Sequence, residues 1–306
     1  MTPESKRLHL LLDTDIGTDV DDAMTLIQLI GAGLAPQMSI TTAYGDTDLR
    51  AKIAKRYCDL AGVHIPIYKG EQETLSGKEI WVSGLEGSLH SGLEFESYTS
   101  GAAIDHILDS SLDSSRDLCI LAIAPLTNIA KAVLKDPSLP KRVSHLYLMG
   151  GRFEEGQAEH NILSDVTAAD IVFSAGFNIT AVGIEATKRV QMPAQLIERI
   201  AAAGAAGLAL SKDIYQWWEF WAETWNVPHD PIAALTFLKP EMFMLSESGD
   251  ISIVTAGDEL GKSVFRPEMT GTHRIVKEFD EQEVAEEIVK AIELSEHRRV
   301  NTNAIA

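Results

Sequence analysis

The sequence predicts an α/β protein with an open, mostly parallel, doubly wound sheet and helices on both of its faces. Short, nearly continuous apolar runs, typical of strands buried on both faces, alternate with segments of helical periodicity. The repeated strand–helix units favour parallel strands joined by crossover helices. In such a sheet ligands bind beyond the carboxyl ends of the strands, so the functional site is expected there.

The predicted elements follow in chain order. The strands are residues 8–12, 38–43, 65–68, 118–123, 146–149, 179–184 and 251–254. The helices are residues 21–30, 49–60, 126–134, 166–174, 215–225, 232–238 and 281–294. Residues 70–101 are rich in Gly, Ser and Glu and are predicted to be a loop with short helical pieces. Since the sequence shows no linker, repeat or low-complexity tract, we expect one domain over residues 1–306.

The composition limits the partners that this chain can have. Acidic residues outnumber basic ones by 45 to 26, and the formal net charge of −19 repels phosphate backbones and anionic membranes. Nucleic acid and lipid surfaces are therefore not expected as partners, whereas a cation or a small neutral substrate is compatible. The spacing of Cys58 and Cys119 suggests no metal site, and a disulfide is not needed. The apolar run 8–12 is shorter than the roughly 7–15 residues of a secretory signal core, so a reducing, cytoplasmic compartment is expected.

An acidic cluster follows the first predicted strand. Residues 13–22 contain five carboxylates and no basic side chain: Asp13, Asp15, Asp19, Asp21 and Asp22. Crowded at a strand end, these carboxylates repel one another unless their pKa values rise, solvent screens them or a cation binds. The bland interpretation is a solvated acidic turn that caps a helix. The favoured interpretation is a site for a hard cation with oxygen ligands, Ca²⁺ or Mg²⁺.

Other polar residues follow the later strands. Asp46 is a candidate site carboxylate, and Asp48 is expected to cap the next helix. If residues 159–161 are extended, Glu159 and Asn161 point the same way, with His160 opposite, and together suit a vicinal diol.

Two further features lie in the second half of the chain. His229 precedes Asp230 and Pro231, a standard helix start, and is placed where an acid–base role is natural. Trp218 and Trp221, with Trp225, recur at helical spacing; this pattern indicates core packing or, alternatively, a wall that stacks on an aromatic ligand. Trp81, in the irregular segment, is another stacking candidate.

These motifs, taken in order, resemble the nucleoside hydrolases, the inosine-uridine preferring nucleoside N-ribohydrolase family. The resembling segments are residues 13–23, Pro125-Leu126-Thr127-Asn128, Met149-Gly150-Gly151, Glu159-His160-Asn161-Ile162 and His229-Asp230-Pro231. The resemblance implies an open α/β fold, a Ca²⁺ ion at the bottom of a ribose pocket, and hydrolysis of the N-glycosidic bond of ribonucleosides. It also implies a homodimer or homotetramer.

Carried over residue by residue, the resemblance assigns roles to matching positions. The calcium ligands would be the side chains of Asp15, Asp22 and Asp230 and the main-chain carbonyl of Thr127. The residues that grip the ribose hydroxyls would be Asp21, Glu159 and Asn161. Asp15 would also be the general base toward the attacking water, and His229 would lie beside the leaving base. The identity of the leaving-group acid and the preferred base stay open.

The chain departs from the family pattern at four places. Three residues, Thr18-Asp19-Val20, stand where the family most often has one, so Asp19 is an alternative to Asp21 or Asp22. Asp46 replaces a usual Asn, Ser83-Gly84 replaces a common His-Gly pair, and the loop between Gly151 and Glu159 is short. The last three departures concern substrate preference more than chemistry.

Two rival functions remain. The segment 11–15 also resembles the nucleophile motif of haloacid-dehalogenase-type phosphatases, in which Asp13 would be the nucleophile, Asp15 the acid and Mg²⁺ the cofactor. The usual downstream Lys and acidic pair are not evident. The second rival is a non-catalytic calcium- or sugar-binding relative that keeps the scaffold without the chemistry.

Overall fold

The computed structural model describes residues 6–303, and side chains over residues 6–296. The strands are β1 (Arg7–Thr14), β2 (Met38–Thr42), β3 (Ile67–Lys69), β4 (Arg116–Ala122), β5 (Val143–Met149), β6 (Ile179–Val182), β7 (Met192–Pro193), β8 (Trp225–Asn226), β9 (Met244–Leu245), β10 (Gly249–Ile253), β11 (Ser263–Pro267) and β12 (His273–Glu278). The helices are α1 (Asp21–Gly31), α2 (Thr47–Leu60), α3 (Ala103–Leu112), α4 (Thr127–Lys135), α5 (His160–Ser164), α6 (Val166–Ser174), α7 (Ile184–Thr187), α8 (Ala194–Ala201), α9 (Gly204–Trp221), α10 (His229–Leu238) and α11 (Glu281–Asn303).

A ten-stranded sheet organises these elements in the order β11-β10-β12-β6-β5-β4-β1-β2-β3, with β9 beside β12. The strands from β12 to β3 run parallel to their neighbours, whereas β9, β10 and β11 are antiparallel additions at one side. From β1 the chain moves outward to β2 and β3, and then returns to β4 on the other side of β1. This reversal of strand order opens a crevice at the carboxyl ends of β1 and β4.

Helices cover both faces of the sheet. Side chains alternate along β1, so that Leu10 and Leu12 join one buried core and Leu11 joins the other. The first core includes the apolar faces of α1, α2, α9, α10 and α11, and the second includes those of α3, α4 and α6. Gly31 lets α1 approach α11 closely, because a Cβ at this position would lie 1.8 Å from the carbonyl oxygen of Ala291.

The predicted fold class is therefore confirmed, and several element boundaries are corrected. The strand predicted at 179–184 ends at Val182, where the chain turns into α7. The helix predicted at 215–225 begins already at Gly204 and ends at Trp221, because Ala222 adopts a left-handed conformation with φ of 55°. Asp46, not Asp48, caps α2, accepting a hydrogen bond from the Leu49 N–H at 3.0 Å. The sequence interpretation missed the helices α3, α5, α7 and α8 and the strands β7, β8, β9, β11 and β12.

The structure also bears on the cysteines, on membrane-spanning helices and on the extent of the predicted domain. Cys58 and Cys119 are both buried and free. Among the helices that the structure describes, none has the length and apolar character needed to cross a bilayer. The single-domain prediction extends over residues 1–5 and 304–306, which lie outside the described residues.

Candidate active site

A cavity of about 1020 Å³ occupies the crevice at the carboxyl ends of the parallel strands. Its lining includes residues at or just beyond the carboxyl ends of four neighbouring strands: Asp15 after β1, Tyr44 two residues beyond β2, Ile123 after β4 and Met149 as the last residue of β5. The reversal of strand order between β1 and β4 thus places the acidic loop at the bottom of an open pocket.

Asp13, the first residue of the acidic stretch, does not line this cavity. One oxygen of its fully buried carboxyl accepts hydrogen bonds from Thr41 Oγ1 at 2.6 Å and Asn128 Nδ2 at 2.7 Å. Burial raises the pKa of Asp13 to about 6, in spite of these bonds. A phosphatase nucleophile has to face its substrate, so the position of Asp13 contradicts the haloacid-dehalogenase interpretation.

Asp21, Asp22 and Asp230 form the tightest carboxylate cluster of the cavity. One oxygen from each lies within 4.8 Å of the others. The main-chain N–H of Asp230 also donates to Asp21 Oδ2 at 3.3 Å, and the Thr14 hydroxyl donates to Asp22. Since α1 begins at Asp21 and α10 at His229, the positive ends of two helix dipoles point at the cluster.

The charge of this cluster suits a hard divalent cation. Burial raises the pKa of all three carboxyls well above the usual range, and the neighbouring aspartates raise it further. Two oxygens bound to one calcium ion at about 2.4 Å lie at most about 4.8 Å apart, which matches the spread of the cluster. Carboxylate oxygens are the ligands that such ions prefer, so the residues present fit a metal ion.

Asp15 and Asp19 line the same cavity but lie outside this tightest cluster. Burial raises the pKa of Asp15, whereas Arg50 and His160 lower it. Burial also raises the pKa of Asp19 to about 7, with smaller upward effects from Glu223 and Asp15. Asp21 and Asp22 are the first two residues of α1. Asp19, in the three-residue segment 18–20, lines the cavity in addition to them.

Glu159 and Asn161 also line the cavity. The two oxygens of Glu159, which caps α5, accept hydrogen bonds from the main-chain N–H groups of Asn161 at 2.8 Å, Gly151 at 3.0 Å and Ile162 at 3.1 Å. Asn161 Nδ2 donates to the carbonyls of Ile123 at 3.1 Å and Met149 at 3.2 Å. With both amide hydrogens engaged, Asn161 has its side-chain oxygen left to offer a ligand.

Two histidines line the cavity, His160 and His229. The expectation that His160 points away from the site is wrong: residue 160 begins α5 rather than continuing a strand, and its exposed ring lines the cavity near Trp81 and Tyr44, with ring centroids 5.9 and 6.2 Å away. His229 lines the cavity with Nδ1 2.6 Å from Thr187 Oγ1. Burial, with a smaller effect of Lys188, lowers the pKa of His229 to about 4, so this ring is neutral at pH 7.

Aromatic side chains form the outer rim. Trp81 and Trp221 both line the cavity, are 41 % and 51 % exposed, and lie with ring centroids 6.5 Å apart at an angle of 26°. Trp218 belongs to the buried core and does not line the cavity, which corrects its prediction as a stacking residue. Trp217, one position earlier on α9, lines the cavity instead. The helix rotates by about 100° per residue, so a spacing argument alone could not choose between them.

Two other predicted site residues lie outside the cavity. Thr127 opens α4, so its carbonyl points along the helix, and its hydroxyl donates to Asp165 at 2.7 Å. The cavity-lining residue of this segment is Ile123, at the end of the preceding strand. Asp46 is exposed and occupied as the cap of α2. The structure therefore corrects both expectations.

Comparison with known proteins identifies the family to which this chain belongs. The model of a family described as inosine-uridine preferring nucleoside hydrolase matches residues 10–287. The probable uridine nucleosidase 1 of Oryza sativa subsp. japonica is 29% identical over 270 residues, which cover 82% of this chain and 82% of that protein. The pyrimidine-specific ribonucleoside hydrolase RihB of Escherichia coli O9:H4 (strain HS) is 28% identical over 222 residues, which cover 68% of this chain and 70% of that protein.

Solved structures share the fold. A plant nucleoside hydrolase, the PpNRh1 enzyme, superposes with a TM-score of 0.82 at 23% identity, covering 93% of this chain and 98% of its own. The purine-preferring ribonucleoside hydrolase from Gardnerella vaginalis superposes with a TM-score of 0.81 at 23% identity, covering 94% of this chain and 99% of its own.

Proposed function

Because this chain belongs to the inosine-uridine preferring nucleoside hydrolase family and is an N-glycosyl hydrolase, we propose that it hydrolyses ribonucleosides to the free base and ribose with the help of a calcium ion. One observation carries the proposal. A buried carboxylate cluster, a Glu–Asn pair and an aromatic rim meet in one cavity at the carboxyl ends of the parallel strands.

The ion would bind at the carboxylate cluster. Asp22 and Asp230 are its first candidate ligands, with Asp21 and Asp15 beside them and the main-chain carbonyl of Ile123 in place of that of Thr127. A bound calcium ion would orient the attacking water, lower its pKa and neutralise part of the carboxylate charge.

The protein's own residues would position ribose. Each carboxylate has about four acceptor sites, and Glu159 uses three of them on main-chain N–H groups, so one is left for a sugar hydroxyl. The free oxygen of Asn161 and the carboxylate of Asp21 would accept the neighbouring hydroxyls. Negative charge around the ring also stabilises the cationic, oxocarbenium-like character of the sugar in the transition state.

Asp15 would remove the proton of the attacking water. It lines the cavity next to the cluster. Burial raises its pKa, which makes the carboxylate a stronger proton acceptor, and Arg50 and His160 partly offset that rise. The base would leave beside Trp81 and Trp221, whose flat faces suit stacking on a purine or pyrimidine.

The proposed hydrogen bonds to the two ribose hydroxyls predict discrimination against 2′-deoxyribosides. A buried carboxylate or amide oxygen that loses its hydroxyl partner costs about 1–3 kcal/mol, so kcat/KM for uridine should exceed that for 2′-deoxyuridine by roughly 5- to 150-fold. The Trp81→Phe variant is the matched control, since it should lower kcat/KM on both substrates by a similar factor. Comparable values for the two substrates in the parent enzyme would contradict the roles of Asp21, Glu159 and Asn161.

His229 is expected to assist the leaving base. The Thr187 hydroxyl has one proton and two neighbouring acceptors, the Ile184 carbonyl at 3.1 Å and His229 Nδ1 at 2.6 Å. When it donates to Nδ1, the neutral ring carries its own proton on Nε2 and offers it to the base. His229→Ala should then slow hydrolysis of natural nucleosides by roughly 10²-fold while barely slowing p-nitrophenyl riboside, whose leaving group departs without help. Thr187→Val should show a smaller effect in the same direction. Equal losses on both substrates would indicate a structural role beside Asp230.

A substrate panel tests the function itself. Inosine, uridine, cytidine, adenosine and guanosine are incubated with the calcium-loaded protein, and free reducing sugar is measured. Release of ribose from at least one of them is expected, and the panel also reveals the preferred base. Binding of ribose without release of base would instead support a non-catalytic sugar-binding relative.

A further inference from the structure

Arg50 is a buried arginine whose bonds all go to neutral oxygens. Its side chain is 2 % exposed, and its Nε donates to the Tyr44 carbonyl at 2.6 Å. Its Nη1 donates to the carbonyls of Asp15 and, at 3.1 Å, Ile16, and to Thr18 Oγ1 at 3.2 Å. A buried charge is costly unless other groups stabilise it. The surrounding acidic loop, to whose backbone the guanidinium is bound, supplies that stabilisation.

One path leads from Arg50 to Trp81 through Tyr44. Tyr44 has a φ of 67°, a left-handed conformation that is unusual for a residue with a side chain. Arg50 donates a hydrogen bond to the Tyr44 carbonyl. The phenol oxygen of Tyr44 accepts a hydrogen bond from the main-chain N–H of Trp81 at 2.9 Å. The arginine therefore holds the strained residue on which the Trp81 segment rests.

A second path leads from Arg50 through Thr18. This residue belongs to the segment 18–20, where the acidic loop of this chain departs from the family pattern. Thr18 Oγ1 donates to Glu86 at 3.1 Å. Glu86 in turn accepts the main-chain N–H groups of Ser83 and Gly84, both at 2.9 Å. The guanidinium of Arg50 therefore connects the acidic loop to residues 81–86 twice, once through Tyr44 and once through Thr18 and Glu86.

We propose that Arg50 is a positioning residue that couples cation binding at the acidic cluster to the placement of Trp81 on the cavity rim. This inference rests on the proposed function, since it concerns the same ion and the same pocket. A cation that draws the acidic loop together would hold residues 81–86 through Tyr44 and Thr18. By linkage, a ligand that rests on Trp81 would tighten cation binding by the same factor.

The experiment compares Arg50→Lys, which keeps the charge but loses the planar fork, with the parent protein. Arg56→Lys is the matched control: Arg56 lies on the same helix and bonds to Glu96 and to the Ser91 carbonyl of the same irregular segment, away from the acidic loop. Calcium affinity is measured by calorimetry. Accessibility of Trp81 is measured by acrylamide quenching, as the difference between each protein and its Trp81→Phe counterpart, with and without calcium.

We expect calcium to protect Trp81 in the parent and in Arg56→Lys. In Arg50→Lys the calcium Kd should rise at least about 5-fold, and the calcium-dependent protection of Trp81 should be lost. A folded Arg50→Lys protein with parental calcium affinity and parental protection of Trp81 would overturn the proposal.

If Arg50→Lys fails to fold, the double variant Thr18→Val/Tyr44→Phe decides the question, because it removes the two hydroxyls through which Arg50 reaches residues 81–86 and keeps the arginine. Weakened protection of Trp81 by calcium supports the proposal, and unchanged protection overturns it. A parent protein that binds no calcium overturns both this inference and the calcium part of the proposed function. A parent that couples calcium to Trp81 but releases no base overturns the proposed function alone.

Discussion

Replacement of Asp15 by Asn should lower kcat by roughly 10²–10⁴-fold, the usual contribution of a general base. The carboxylate lies on the cavity floor beside the Asp21–Asp22–Asp230 cluster, where it can accept the proton of an attacking water. Asn has nearly the same shape but accepts no proton at neutral pH. The main-chain bond from Arg50 to the residue 15 carbonyl does not depend on the side chain, so the loop should keep its place.

The control for this variant is Asp46→Asn. Asp46 also follows a strand of the parallel sheet, but it is exposed and caps α2, and Asn is an equally good cap. Its kcat and Tm should match those of the parent. An unchanged kcat in Asp15→Asn would show that another carboxylate is the base, and Asp19, which also lines the cavity, would then be replaced.

Removal of calcium should abolish turnover and lower the Tm. An ion that binds only the folded protein would stabilise it by about 2.7 kcal/mol when its free concentration is 100 times the Kd. Exhaustive chelation followed by calorimetry and a ribose assay tests both effects, and added Ca²⁺ should restore them. The control is chelator saturated with calcium before use. Normal activity in a fully chelated enzyme would contradict the calcium requirement.

The pH dependence of the ion-free protein gives a second measure of the same cluster. Burial raises the pKa of Asp19 from 3.8 to about 7, and those of Asp21, Asp22 and Asp230 also rise. The folded ion-free protein therefore keeps protons that the unfolded chain has lost, so these groups make stability fall as the pH rises toward and through 7. In the proposed site calcium would replace those protons, so the loaded protein should keep its Tm from pH 6.5 to 8. For the same reason calcium affinity should fall as the pH is lowered.

Several features of this protein could be predicted from local sequence. The alternation of apolar runs and helical segments predicted the doubly wound sheet, because a strand buried on both faces is apolar at successive positions. The acidic stretch after the first run predicted a cation site, because that position belongs to the carboxyl end of a buried strand. The phase of α9, which local sequence does not fix, decides that Trp217 rather than Trp218 faces the cavity.

The tertiary structure decided the contacts between distant residues. It brought Asp230 to Asp21 across 209 positions, turned His160 into the cavity because Glu159 starts a helix, and replaced Thr127 by Ile123 at the cavity wall. It also buried Arg50, which in the sequence is one of several basic residues on an exposed-looking helix. The sequence by itself determined which elements and charges are present. Only the packed fold determined which of those charges meet, because side-chain direction and long-range docking are set by the whole core rather than by neighbours along the chain.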